Sequence, residues 1–379
     1  MASDQRLSRR EFGMVAVVGT TAFCSWSAPR KQSQSPAPPR WNIRGGVSLA
    51  GAEFGATKPS FSNQNPGTYG RDYIYPDQPT IRYFAQHGLG ILRIPFRWER
   101  LQPRLGQPLD PDELNRIREV VEWAADAGAA VVLDTHNYGR YTLQLGGKPK
   151  SVVIGERIGR TAPVSSALFA DYWRRIAQAF AHDPTILGFG LMNEPHDMGH
   201  SSWQAISQQA VEAIRTVNRE TSVIVAGDGW SNARRFPESN GPRAWINDPA
   251  DRVLYEAHSY FDSDGTGRYA RSYAEELRED PDLVQRGVKR IGVFCDWCRQ
   301  NNVRGFLGEF GIPGQSAGWR RVMDHTLEWL HATDLLACYW AAGQWWHDYP
   351  LSVQPTDEMR RPAPQLAILR RWLVPQVES

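Results

Sequence analysis

The sequence predicts an α/β fold, a (β/α)8 TIM barrel built as a single domain, on three observations. Eight short apolar runs rich in β-formers recur along the chain. Stretches with apolar residues at three- and four-residue spacing separate most of them. The alternation fills about 330 residues, which suits a closed parallel barrel better than an open doubly wound sheet with an extra domain. A chain of 379 residues, 41% of them apolar, is enough to bury a large core.

The runs, in order, are Gly46–Gly51, Ile91–Phe96, Ala130–His136, Ile186–Pro195, Ser222–Gly227, Val253–Tyr260, Gly305–Gly311 and Ala337–Gly343. Between them, Leu114, Ile117, Val120, Val121 and Ala124 mark one amphipathic helix, and Ile206, Ala210, Ala213, Ile214 and Val217 another. Asp110 followed by Pro111 gives the first of these an N-cap and a proline at its first turn. In such a barrel the C-terminal strand ends and the loops after them form the working face. Three long segments, about 53–77, 137–165 and 261–280, are therefore expected to wall a cleft.

The first 40 residues differ in kind. Ser8, Arg9, Arg10, Glu11 and Phe12 form a twin-arginine pattern, followed by a weakly apolar stretch too short to span a bilayer and by small residues around Ser25–Ala28. Residues 1–28 are expected to be a twin-arginine signal peptide, 29–40 a tether rich in Pro, Ser and Gln, and 41–379 the barrel domain. The mature protein is then expected to be secreted or periplasmic. The leader and tether hold six basic and two acidic side chains, so the remainder carries 37 basic against 39 acidic. With so small a net charge and no long basic tract, nucleic acid is not an expected partner. No membrane span is expected either, and nothing calls for more than a monomer.

Reading the polar residues at the strand ends gives Arg93, His136 with Asn137, Asn193 with Glu194, His258 with Tyr260, Glu309, and Trp340. Each alone is unremarkable. Together they place two carboxylates, after the fourth and seventh strands, on one face of a barrel. There they can approach the ~5–5.5 Å separation used in retaining glycoside hydrolysis. That chemistry needs opposite protonation states. Glu309, as nucleophile, must stay ionised, with Arg93 and the Tyr260 hydroxyl to hold its charge. Glu194 must begin protonated as acid, which the charge of Glu309 favours, and then act as base once the glycosyl ester has removed that charge. Asn193 is placed to hydrogen-bond the sugar 2-hydroxyl.

Several segments resemble glycoside hydrolase family 5 of clan A, and within it the subfamily 5 endo-β-1,4-glucanases, or cellulases. They are Ile91–Leu101 (ILRIPFRWERL), Leu133–Tyr141 (LDTHNYGRY), Gly188–His196 (GFGLMNEPH), Tyr255–Gly267 (YEAHSYFDSDGTG), Gly305–Gly311 (GFLGEFG) and Cys338–Trp346 (CYWAAGQWW). GVSLAGAEFG at the first strand, Gly67–Pro76 and Leu351–Pro355 are similar too, so the likeness runs from about Gly45 to Pro355. Asn-Glu-Pro alone is a weak signal; the ordered set of eight positions is a strong one. The resemblance implies acid/base Glu194, nucleophile Glu309 and a supporting shell of Arg93, His136, Asn193, His258, Tyr260 and Trp340. In that shell, Trp340 stacks under a sugar and Asn137 is a further subsite residue. It implies a β-1,4-glucan substrate and no cofactor. Mixed-linkage glucan, xyloglucan or mannan is the alternative substrate, and a barrel that binds glycan without cutting it is the non-catalytic alternative. The chain departs from the family pattern around Gly227, Asp228, Gly229 and Trp230, which bears on the subsites beyond the cleavage point.

Fifteen tryptophans are about three times an average share. Indole stacks on the C–H faces of glucose rings. Trp98, Trp230, Trp340, Trp345 and Trp346 lie at or just beyond strand ends, so some of them are placed in the cleft. Trp123, Trp173, Trp203, Trp297 and Trp329 fall in helical stretches and are assigned to the core. Other chemistries fit poorly. His196 with His200, and Cys295 with Cys298, have neither HExxH nor a second Cys pair, so no metal is expected. Gly46–Ala50 lacks the last glycine of GxSxG, and Gly188–Asn193 fails GxGxxG. A disulfide from Cys338 to Cys295 or Cys298 is left open.

Overall fold

A computed structural model of the chain describes residues 43–375. The proposed signal peptide and tether lie outside the described residues. The described residues form one compact unit.

Eight parallel strands close into a ring. In chain order they are β1 (Gly45–Leu49), β2 (Ile91–Phe96), β3 (Ala130–Thr135), β6 (Ile186–Gly190), β7 (Ser222–Ala226), β8 (Val253–His258), β9 (Arg304–Glu309) and β10 (Leu336–Ala342). The ring runs β1, β10, β9, β8, β7, β6, β3, β2 and back to β1. Every predicted run supplies one barrel strand. The strands stop several residues short of some predicted ends, because the last polar residues of each run already turn into the loops.

Among the described residues two further strands, β4 (Arg140–Leu145) and β5 (Lys148–Val153), which the apolar runs do not predict, form an antiparallel hairpin within the expected wall segment 137–165. Gly146 and Gly147, both at positive φ, make its two-residue turn. A Gly-Gly pair between two short runs was the available signal.

Helices coat the ring as the apolar spacing requires. The helix Pro111–Asp126 starts where Asp110 accepts from the N–H groups of Asp112 and Glu113. It buries Ile117, Val120, Val121 and Ala124. Inside the ring, Ile91, Val132, Ile224, Leu254, Phe306 and Cys338 pack as one layer below the polar end. Cys295 and Cys298 lie instead on the outer helix Arg286–Asn301, and Cys298 packs with Phe236, Tyr255 and Trp297. The barrel wall separates Cys338 from the other two, so the disulfide left open is not formed and all three thiols are free and buried. Burial pushes the Cys295 thiol up to about 11. Among the described residues no helix is long and apolar enough to cross a membrane.

Candidate active site

Arg93 is the pivot. It sits on β2 with its side chain fully buried inside the barrel. Its Nη1 donates to Glu309 Oε1 at 3.0 Å and its Nη2 to Asn193 Oδ1 at 2.6 Å. Two more carboxylates pair with it from below, Asp134 at 3.2 Å and Glu256 at 3.4 Å. Burial alone would depress the guanidinium, but the charges of Asp134, Glu256 and Glu309 hold it well above its ordinary value. The same guanidinium, with His136, keeps Asp134 below its ordinary value against the opposing effect of burial.

Glu309 ends β9 and is 4% exposed. Arg93 holds one oxygen, and the Tyr260 hydroxyl donates to the other at 2.7 Å. Burial, and next the charge of Glu309, push the Tyr260 hydroxyl well above the usual phenol range, so it remains a donor. Glu194 lies four residues beyond the end of β6, at φ +43°, in the left-handed region that side chains other than glycine seldom adopt. Its side chain is 16% exposed, and His258 Nδ1 donates to its Oε1 at 2.7 Å. One atom each from Glu194, His258 and Glu309 lie within 4.8 Å of one another.

His258 is 3% exposed. Its Nδ1 faces Glu194 and, at 3.7 Å, Glu309; its Nε2 faces Glu256 at 3.2 Å. Burial would lower its pKa, but the charge of Glu309 and the hydrogen bonds to Glu194 and Glu256 push it up to about 10. The ring is therefore an imidazolium at neutral pH.

His136 differs. Its Nδ1 donates to Asp134 Oδ2 at 2.8 Å, and its Nε2 faces the Asn193 amide nitrogen at 3.3 Å. Arg93 fixes that amide by taking its oxygen, so the nitrogen donates and His136 Nε2 must be bare. The ring stacks on Trp340 with centroids 5.3 Å apart and planes 13° apart.

Of the tryptophans, Trp340 lies on β10 two residues before its end, stacked on His136, and Trp346 meets it edge-on at 6.0 Å. Trp346 also stacks on Tyr349 and meets Phe54 from the first wall. Trp345 is half-buried. Trp230 is 49% exposed and lies flat on His196, with planes 10° apart. Trp98 is a correction: it opens the short helix Trp98–Leu101 and is fully buried against Tyr141, Phe169 and Tyr172. Of the five helical tryptophans, Trp173, Trp203 and Trp297 are buried, while Trp123 and Trp329 are only partly so.

Asn137 is a second correction. It is 1% exposed; its oxygen accepts from Trp98 N at 2.9 Å, and its nitrogen donates to Glu99 and to the Arg140 carbonyl. Those bonds tie loops together and spend both amide hydrogens on protein acceptors, and the side chain is buried. Sequence reading missed Asp134 and Glu256. Each stands two residues before a strand-end histidine, so acid and imidazole share one strand face, and that spacing was the signal.

A closed parallel barrel with two carboxylates and an arginine-centred charge network at its C-terminal face defines a glycoside hydrolase. Residues 47–346 match the description "Cellulase (glycosyl hydrolase family 5)", and the chain belongs to that family. It is 32% identical to endo-beta-1,4-glucanase B of Emericella nidulans over 316 residues, covering 82% of this chain and 86% of that protein. Among solved structures it is similar to Pseudomonas stutzeri endoglucanase Cel5A in complex with cellobiose: 36% identity, TM-score 0.75, 86% of this chain and 91% of that one. XacCel5A in complex with cellopentaose is another, at 32% identity and TM-score 0.73, with coverage of 87% and 99%.

Proposed function

We propose that the protein is a retaining endo-β-1,4-glucanase in which Glu309 attacks the anomeric carbon and Glu194 is the acid and then the base. One observation carries the assignment: the two carboxylates are held unequally. Glu309 is nearly enclosed, with donors on both oxygens, so its charge is stabilised in place. Glu194 has a single donor and opens more to the cleft, where it can exchange a proton with a leaving group or water. Their closeness fits the shorter carboxylate separation of retaining enzymes, about 5–5.5 Å, and not the longer one of inverting enzymes.

In the first step a Glu309 oxygen bonds to the anomeric carbon, the glycosidic C–O bond breaks, and the proton of Glu194 goes to the departing oxygen. In the second, Glu194 takes a proton from water, whose oxygen replaces Glu309 on that carbon. Trp340 is the platform for the sugar at the cleavage point, and Trp346, Trp345 and Trp230 are further stacking surfaces for glucose rings. Names of relatives support a β-1,4-glucan as substrate, and two structural neighbours carry cello-oligosaccharides. The leader pattern supports export by the twin-arginine route to a place outside the cytoplasm, with the domain starting near Trp41.

Glu309→Gln and Glu194→Gln are each expected to lower release of reducing ends from carboxymethyl cellulose by at least about 10³-fold while leaving the fold intact. Glu194→Ala with azide and an activated aryl glycoside is expected to give a β-glycosyl azide. Near-normal turnover in either glutamine variant, or an α-azide, would overturn the roles.

A further inference from the structure

Resting on the catalytic roles just proposed, we infer that Glu256 is a positioning residue for the reaction: from below the cleft its carboxylate fixes His258 as a two-sided donor and so decides which oxygen of Glu194 carries the acid proton. Glu256 is 1% exposed on β8, and β8 lies four places from β2 in either direction around the ring. Arg93 therefore reaches across the barrel to meet it. One oxygen, Oε1, lies 3.2 Å from His258 Nε2 and 3.4 Å from Arg93 Nε. The chain reserves space for that carboxylate: a Cβ on Gly308, the residue before Glu309, would fall 1.8 Å from Glu256 Oε1.

The chemistry follows from the two ends of the ring. With Glu256 accepting at Nε2, the hydrogen on Nδ1 has nowhere to point but Glu194 Oε1, with Glu309 next nearest. A carboxylic acid accepts better at its carbonyl oxygen than at its hydroxyl, so an accepting Oε1 favours the proton on Oε2, where it is free for the leaving oxygen. Without the lower carboxylate the ring can lose a proton and keep one hydrogen that is no longer fixed at either end, so that Nδ1 is bare whenever that hydrogen sits on Nε2. Glu194 would then spend its proton on the imidazole. The charged groups facing the ring are Glu194 from the loop after β6, Glu256 on its own strand and Glu309 from β9. Arg93 from β2 and Asp134 from β3 are further off. The raised pKa of His258 agrees with this arrangement.

The test uses the whole enzyme. In ¹⁵N spectra of the histidine rings, His258 is expected to show two protonated nitrogens from about pH 6 to about pH 9, and Glu256→Gln is expected to show one at the upper end. The same variant should lose about ten-fold or more in kcat, with KM within about two-fold, and its alkaline limb should move to lower pH. Glu256→Asp should restore that limb, and Gly308→Ala, which displaces the carboxylate, should reproduce the loss. A wild-type His258 that titrates within this range, or a Glu256→Gln enzyme with two ring protons and an unshifted profile, would overturn the inference. The ring signals are read without turnover, so they decide Glu256's hold on His258 separately from any failure of Glu309→Gln to abolish activity.

Discussion

The chain uses one local device twice, an acid two residues before a histidine at the end of a barrel strand, and obtains opposite results. On β3, Asp134 holds His136; on β8, Glu256 holds His258. Both acids also pair with Arg93. The difference lies at the far nitrogen. His136 meets an amide nitrogen there, so it buttresses Asn193 and lies flat on Trp340. His258 meets Glu194, with Glu309 behind it, and becomes a cation. A short motif thus sets the direction of an imidazole, while partners brought from elsewhere in the ring set its charge.

The comparison can be broken most severely at the group its halves share. Arg93→Met would leave Asp134, Glu256 and Glu309 buried without their cation. It should cost about 3–5 kcal/mol, read as a lowered urea midpoint at unchanged slope. Next comes the difference between the rings. His258→Asn is expected to lower kcat on the order of 10²-fold, because it removes a charged donor beside both carboxylates. His136→Asn should act mainly on KM, by about ten-fold, because it removes the backing of Trp340 and Asn193. Equal losses in kcat from the two variants would show that charge is not what separates them.

The smallest effect is on stability against pH. The folded-state pKa of His258 is raised, so its contribution is fully present below about 6.5, the unfolded value. It is lost as pH rises through about 10. Unfolding free energies measured across that window should fall in the wild type. They should fall less in His258→Asn.

The barrel was legible because each strand is an apolar run with a helix period behind it, and burial on both faces leaves little room for other patterns. The hairpin Arg140–Val153 escaped because its strands carry Lys148, Lys150 and Gln144 at a half-exposed edge, where no apolar run forms. At the centre, residues that end strands stood out as polar breaks in apolar sequence. Asp134 and Glu256 stand within strands and look like isolated irregularities until a buried arginine is known to face them. Asn137 misled for a related reason: it follows His136 at a strand end, but successive residues point to opposite sides. Trp98 sits where the chain has already turned from strand to helix, and its indole packs inward.

The bonds that build the centre join residues far apart in the chain: 216 positions for Arg93 with Glu309, 100 for Arg93 with Asn193 and 64 for His258 with Glu194. Loop-closure entropy for such contacts is overcome only when early and late strands meet. A chain whose β9 has not paired therefore has neither its nucleophile in place nor the clamp that holds it. Hydrolytic activity returning during refolding would mark closure of the ring, an event later than the appearance of helical structure.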